Sequence, residues 1–161
     1  MANLLAYGSL MWDNVLATHE GEPVRVDGFR RDFVGRSTTR WGDPSHPCPQ
    51  IGLVPGEGCS AVLFHVPRFR RGKLYRSLSR RERARPRKVP VLRQGERLSA
   101  DAFVPPAEGR WADRGELLEA IRRARGSVGT GPEYIRTLVH ALELWGIEDP
   151  FIEEIWEDVR C

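Results

Sequence analysis

The sequence predicts an α+β fold with strands first and helices last, on three observations. Short apolar or alternating runs, each bounded by Gly, Pro or Asp, fill the chain up to about Val104. From Asp113 onward the apolar residues fall at helical spacing instead. The two patterns follow one another rather than interleaving, which argues against a βαβ chain. A length of 161 residues predicts one domain with one sizeable core, and 40% hydrophobic with 29% charged residues describes a folded chain.

The first stretch, Leu4-Leu5-Ala6-Tyr7-Gly8-Ser9-Leu10-Met11-Trp12, is an apolar run of strand length that stops at a glycine and a hydroxyl residue. Gly8 can take a positive φ and admits close approach to the backbone. Successive amides in such a turn can hold a carboxylate or phosphate; an ordinary strand-to-helix turn with Tyr7 in the core is the plainer reading. Trp12–Ala17 fits a short helix or turn. Gly21–Val26 alternates as a strand does, and in Gly28–Arg36 the residues Phe29, Arg31 and Phe33 share one face of another.

Trp41–Gln50 is rich in Gly, Pro, Ser and Asp and reads as loop. Ile51–Val54, the turn Pro55-Gly56-Glu57-Gly58 and the buried run Cys59–Val66 together predict a hairpin. Arg68–Arg85 carries Leu74, Tyr75 and Leu78 as a helical stripe that Pro86 would end. Val89–Leu92 and Ser99–Val104 read as a second hairpin, with Pro90 marking an edge or bulge. Helices follow over Asp113–Arg125 and Glu133–Trp145. Gly146 stops the latter, and Asp149-Pro150 caps the last helix.

Several function classes lose support here. No apolar run approaches the roughly 20 residues of a membrane span. No basic segment followed by a long apolar one opens the chain, which predicts a cytoplasmic protein. Three cysteines, Cys48, Cys59 and Cys161, lack metal-ligand or disulfide-framework spacing. None of His19, His46, His65 and His140 lies in a phrase that suggests a triad. Gly126–Gly131 is glycine-rich but lacks the lysine of a P-loop, and reads as a link between two helices.

The net charge is only +3, yet Arg68–Arg97 is strongly basic and Glu143–Asp158 acidic. A basic face for nucleic acid or another polyanion is one reading of Arg68–Arg97. A solvated Arg-rich surface is the other, and no nucleic-acid motif accompanies the charge. Glu82 stands among these arginines as a surface ion-pair partner or as something more.

Four phrases occur in one order along the chain: Tyr7-Gly8-Ser9-Leu10 with Met11-Trp12; Gly28-Phe29-Arg30-Arg31-Asp32-Phe33; Leu78-Ser79-Arg80-Arg81-Glu82; and Gly131-Pro132-Glu133-Tyr134 through Gly146-Ile147-Glu148-Asp149. Together they resemble the ChaC-like gamma-glutamylcyclotransferases, over nearly the whole chain from Leu5 to Val159. The resemblance implies a small mixed barrel-like sheet with helices packed around it and a helical C-terminal third, as a single domain over 1–161.

It also implies an enzyme that cleaves a gamma-glutamyl compound, chiefly glutathione, to 5-oxoproline without cofactor or metal. Glu82 is then the general acid/base, and Tyr7, Gly8, Ser9, Leu10, Arg31 and Tyr134 contact substrate. The partner is a small molecule, with neither membrane nor nucleic acid expected. The chain departs from the pattern after Glu82, where Arg83-Ala84-Arg85-Pro86 replaces the Gly-Tyr of many members. That departure leaves other gamma-glutamyl amines as alternative substrates.

Overall fold

Leu4, Leu5 and Ala6 have no exposed surface, and they anchor the first strand, β1 (Ala2–Ala6). The computed structural model describes all 161 residues, Met1–Cys161. β1 pairs antiparallel with β5 (Cys59–Val66), from Ala2↔Val66 to Ala6↔Val62. The other edge of β5 takes β2 (Gly21–Val26), from Gly21↔Phe64 to Val26↔Cys59. Covered on both edges, β5 can be apolar almost throughout, and Ala61, Val62 and Leu63 are fully enclosed.

β2 continues to β6 (Pro86–Arg93) through Arg25↔Leu92 and Val26↔Val91. β6 pairs with β7 (Glu96–Phe103) along its whole length, turning at Gln94-Gly95 as the second predicted hairpin requires. Pro90 lies just outside the two residues that face β2, where a missing N–H removes no ladder bond on that side. A single parallel bridge, Leu4↔Asp101, joins β7 to β1 and closes a five-stranded mixed barrel. Closure removes the free edges that an open sheet would expose.

β3 (Phe29–Ser37) and β4 (Cys48–Pro55) form a separate antiparallel ribbon, with a bulge between Phe33 and Gly35. This corrects the expected hairpin of Ile51–Val54 with Cys59–Val66. The Pro55–Gly58 turn is present, but both edges of β5 are taken, so β4 folds back on β3. β4 also begins at Cys48, inside the stretch expected to be loop.

After Leu10 the chain makes two single turns of 3-10 helix, Ser9–Met11 and Asn14–Leu16. α1 (Arg68–Glu82) buries Leu74, Tyr75 and Leu78 against the barrel, with the Tyr75 hydroxyl donating to Asp101 Oδ2 at 2.7 Å. It ends three residues before Arg85, because β6 already begins at Pro86 and the chain must reverse first. Arg83 makes that reversal at φ 50°, ψ 42°.

α2 (Arg114–Arg123), α3 (Gly131–Leu144) and α4 (Pro150–Arg160) form the helical last third. Each starts on a side-chain cap, from Asp113, Thr130 and Asp149 respectively, worth about 1 kcal/mol apiece. Their apolar stripes, including Ile121, Leu138 and Ile155, join the barrel residues in one continuous core.

Candidate active site

Where the end of β1, the end of α1 and the β3–β4 ribbon converge there is a cavity of about 520 Å³. That lies within the usual range for small-molecule sites, roughly 300–1,000 Å³. Tyr7, Gly8, Ser9, Leu10, Glu82 and Tyr134 all line it. Residues up to 127 positions apart in sequence (Tyr7 to Tyr134) therefore border one space.

The Gly8–Leu10 turn is a short helical start. Met11 N–H donates to Gly8 O at 3.0 Å and Trp12 N–H to Ser9 O at 3.2 Å. The Gly8, Ser9 and Leu10 amides precede those bonds and have no acceptor within the turn. Gly8 sits at φ −135°, ψ −131°, not at the positive φ that its type allows. A Cβ there would rest 3.8 Å from Ile51 Cγ2, an ordinary contact; the glycine keeps that part of the cavity open.

Glu82 is the last residue of α1, its side chain 22% exposed. Burial holds its carboxyl above the ordinary glutamate value, Asp13 adds to that, and the Arg81 and Arg40 charges pull the other way. The negative end of α1 further disfavours the carboxylate. Arg81 lies between two acids: Nη1 is on Asp13 Oδ2 and Nε is 3.5 Å from Glu82 Oε1. Burial alone would raise Asp13, but the Val15 N–H bond and Arg81 outweigh it and hold Asp13 below the usual carboxylate range. Glu82, on the cavity wall, is thus made easier to protonate, while Asp13, on the far side of Arg81, is kept ionised.

Both tyrosines are enclosed, at 6% and 2% exposure for Tyr7 and Tyr134, and burial raises both phenols. The Tyr7 hydroxyl donates to Phe103 O at 2.8 Å. Tyr134 does the opposite: its oxygen accepts from Ile51 N–H at 3.1 Å, leaving its own proton free to donate. Trp12 and Trp41 flank the Tyr134 ring at 6.1 and 5.5 Å.

Arg31 does not line the cavity. It is buried beneath it, donating from Nε to Tyr7 O at 2.8 Å and from Nη1 to Asp149 Oδ2 at 2.9 Å. Cysteine nucleophiles have no support here: Cys48 is buried with its thiol pushed up to about 12, and burial raises Cys59 too. No group of three His, Cys, Asp or Glu side chains is placed to hold a metal ion.

Sequence reasoning missed Arg40 and Trp41 on the cavity wall, the segment Pro105–Glu108, whose Pro105, Pro106 and Glu108 form another wall, and Asp13, which reaches the site only through Arg81. That segment is tied to β3 by Glu108 N–H to Val34 O at 2.8 Å and by Arg36 Nη1 to Glu108 O at 2.6 Å. Trp41 and Arg40 lie in or beside a Gly- and Pro-rich stretch whose composition signals only loop. The signal available was the pair Arg40-Trp41 itself, two large side chains in an otherwise small, polar segment.

A family model described as ChaC-like protein matches residues 3–161. The chain belongs to the ChaC-like family. Among curated relatives of this ChaC-like chain is a glutathione-specific gamma-glutamylcyclotransferase of Escherichia coli (strain K12). It is 24% identical over 98% of this chain and 72% of that protein. The crystal structure of a glutathione-specific gamma-glutamyl cyclotransferase from yeast superposes with a TM-score of 0.87 at 18% identity, covering 99% of this chain and 95% of that one. YkqA from Bacillus subtilis superposes with a TM-score of 0.60 at 17% identity, over 99% of this ChaC-like chain and 54% of its own length. At such identities the structures establish the shared barrel-and-helix fold.

Proposed function

We propose that this ChaC-like protein is a gamma-glutamylcyclotransferase that converts glutathione to 5-oxoproline and Cys-Gly. The observation that carries the reading is the shared cavity: a burial-raised carboxyl, Glu82, borders the same space as the open amides of the Gly8–Leu10 turn.

The reaction is an intramolecular aminolysis. The substrate's free α-amino nitrogen attacks its own side-chain amide carbon, a five-membered lactam forms, and the C–N bond to the cysteinyl nitrogen breaks. The nucleophile is tethered at high effective molarity, so the protein's work is to orient the chain and move protons. The Gly8, Ser9 and Leu10 amides suit the α-carboxylate. Glu82 takes a proton from the attacking amine and returns it to the leaving nitrogen, a cycle that balances without water. A pKa lifted toward working pH makes one carboxyl serviceable in both directions. The free Tyr134 proton supports its donating to the oxyanion or to a substrate carboxylate. Tyr7 shapes the wall, and Arg31 steadies the turn from behind.

The test is direct: incubate the purified chain with glutathione and assay 5-oxoproline and Cys-Gly. Turnover of gamma-glutamyl amines alone would move the substrate class, and no 5-oxoproline from any gamma-glutamyl compound would reject the reading. The exposed arginines of α1 keep polyanion binding as a second reading. It predicts affinity for RNA or DNA that falls steeply with salt, and no turnover.

A further inference from the structure

Four guanidinium groups border the cavity: Arg36, Arg40, Arg81 and Arg83. Arg36 is committed to the Glu108 and Gly109 carbonyls and stacks on Trp111 at 4.4 Å. Arg81 is committed to Asp13 and Glu82, and its remaining Nη2 is enclosed. Arg83 stands exposed at the reversal after α1. Arg40 alone is half-buried on the wall with no ion pair or side-chain hydrogen bond of its own, although its charge acts on Glu82. A lone guanidinium in a partly desolvated site is matched to a carboxylate that arrives from outside.

The backbone of Arg40 is held unusually firmly for a loop residue. Val128 N–H donates to Arg40 O at 2.8 Å, and Ser127 N–H donates to Thr39 O at 2.9 Å. Gly126 lies so close that a Cβ on it would meet the Arg40 carbonyl carbon and oxygen at 2.4 Å. Trp41 continues the anchor, its ring tilted against that of Tyr134 at 5.5 Å. The glycine-rich segment Gly126–Gly131 is thus a clamp on the base of Arg40, and the side chain it presents is the part left without a partner.

We infer that Arg40 is the receptor for the carboxylate on the leaving half of the substrate, making the protein selective for gamma-glutamyl peptides over uncharged gamma-glutamyl amines. This rests on the cyclotransferase reading above. The turn amides serve the carboxylate at the gamma-glutamyl end. With Glu82 acting at the scissile amide between the two ends, the carboxylate of the departing peptide needs a separate cation.

The experiment compares glutathione with glutathione amide, which differs only in having a neutral terminal carboxamide. For the wild type, kcat/KM is expected to favour glutathione by about tenfold to a hundredfold, carried by KM, as for a charge-assisted hydrogen bond. Arg40→Met should collapse that ratio toward one, and Arg83→Met should leave it in place. Arg40→Lys should restore part of it. Taking the ratio at one pH cancels any effect of Arg40 on Glu82. A wild-type ratio near one, or a ratio that survives in Arg40→Met, overturns the inference while the cyclotransferase reading stands. If neither compound yields 5-oxoproline, the cyclotransferase reading fails and takes the inference with it. Because the Arg40 side chain has no internal partner, Arg40→Met is expected to fold. If it does not, competitive inhibition of the wild type by Cys-Gly against Cys-Gly amide decides the same point, equal inhibition overturning the inference.

Discussion

Arg31 joins the first turn of the chain to its last helix, donating from Nε to Tyr7 O at 2.8 Å and from Nη1 to Asp149 Oδ2 at 2.9 Å. Asp149 is at the same time the cap of α4, its other oxygen accepting from Ile152 N–H at 3.3 Å. One buried arginine therefore holds the carbonyl that opens the Gly8 turn by a hydrogen bond and the start of the terminal helix by an ion pair. Arg31→Met should cost about 3–5 kcal/mol, since it leaves Asp149 enclosed without its cation. Urea unfolding reads this; a loss under 1 kcal/mol would show that Arg31 is not the tie described.

Glu82→Gln should keep the fold and lower the rate of 5-oxoproline formation by at least ~10²-fold. Its stability has a definite sign. Burial raises the folded-state pKa, so ionising Glu82 costs the folded protein. That cost is absent below the unfolded value of about 4.3, grows as pH rises to the folded value, and is constant above it. The variant should match the wild type near pH 3 and be the more stable of the two near pH 8. A less stable variant at pH 8 would contradict the burial argument. The acid limb of the wild-type pH–rate profile should likewise lie above the ordinary glutamate value.

Tyr134→Phe leaves the tilted ring contact with Trp41 but strands the Ile51 amide, which donates to the phenol oxygen at 3.1 Å. An unpaired buried donor costs about 1–3 kcal/mol, or roughly 2–4 °C in melting temperature per kcal/mol. If the free phenol proton serves the reaction, kcat falls in addition to the stability loss. An unchanged kcat would confine Tyr134 to holding Ile51.

Gly126→Ala puts a methyl group against the Arg40 carbonyl, where backbone rather than a flexible side chain must yield. It should destabilise by about 1–3 kcal/mol. Because it displaces the base of Arg40, KM for glutathione should rise more than KM for glutathione amide. Equal changes for the two substrates would mean that the clamp and the Arg40 head are not coupled.

Much of this protein was legible in one dimension. Alternation and helical spacing are local properties, so the order of strands and helices followed from them, as did the Asp149-Pro150 cap, where a carboxylate meets the free amides of the next turn. The Gly8-Ser9-Leu10 turn and Glu82 were named from their phrases alone, and they do border one cavity. What required three dimensions was everything set by competition or enclosure. β4 pairs with β3 because β1 and β2 already occupy β5, and no local pattern records which edges are free. Arg31 was expected to touch substrate; it is enclosed on the face it shares with Phe33, and its partners there, Tyr7 O and Asp149, are far from it in sequence and meet it only on folding. Arg40 was lost in a loop because its significance is the lack of a partner, which exists only once every other arginine on the cavity wall has been placed. Glu82 itself becomes a different acid on folding: the sequence supplies the carboxyl, and the removal of water around it decides when it holds a proton.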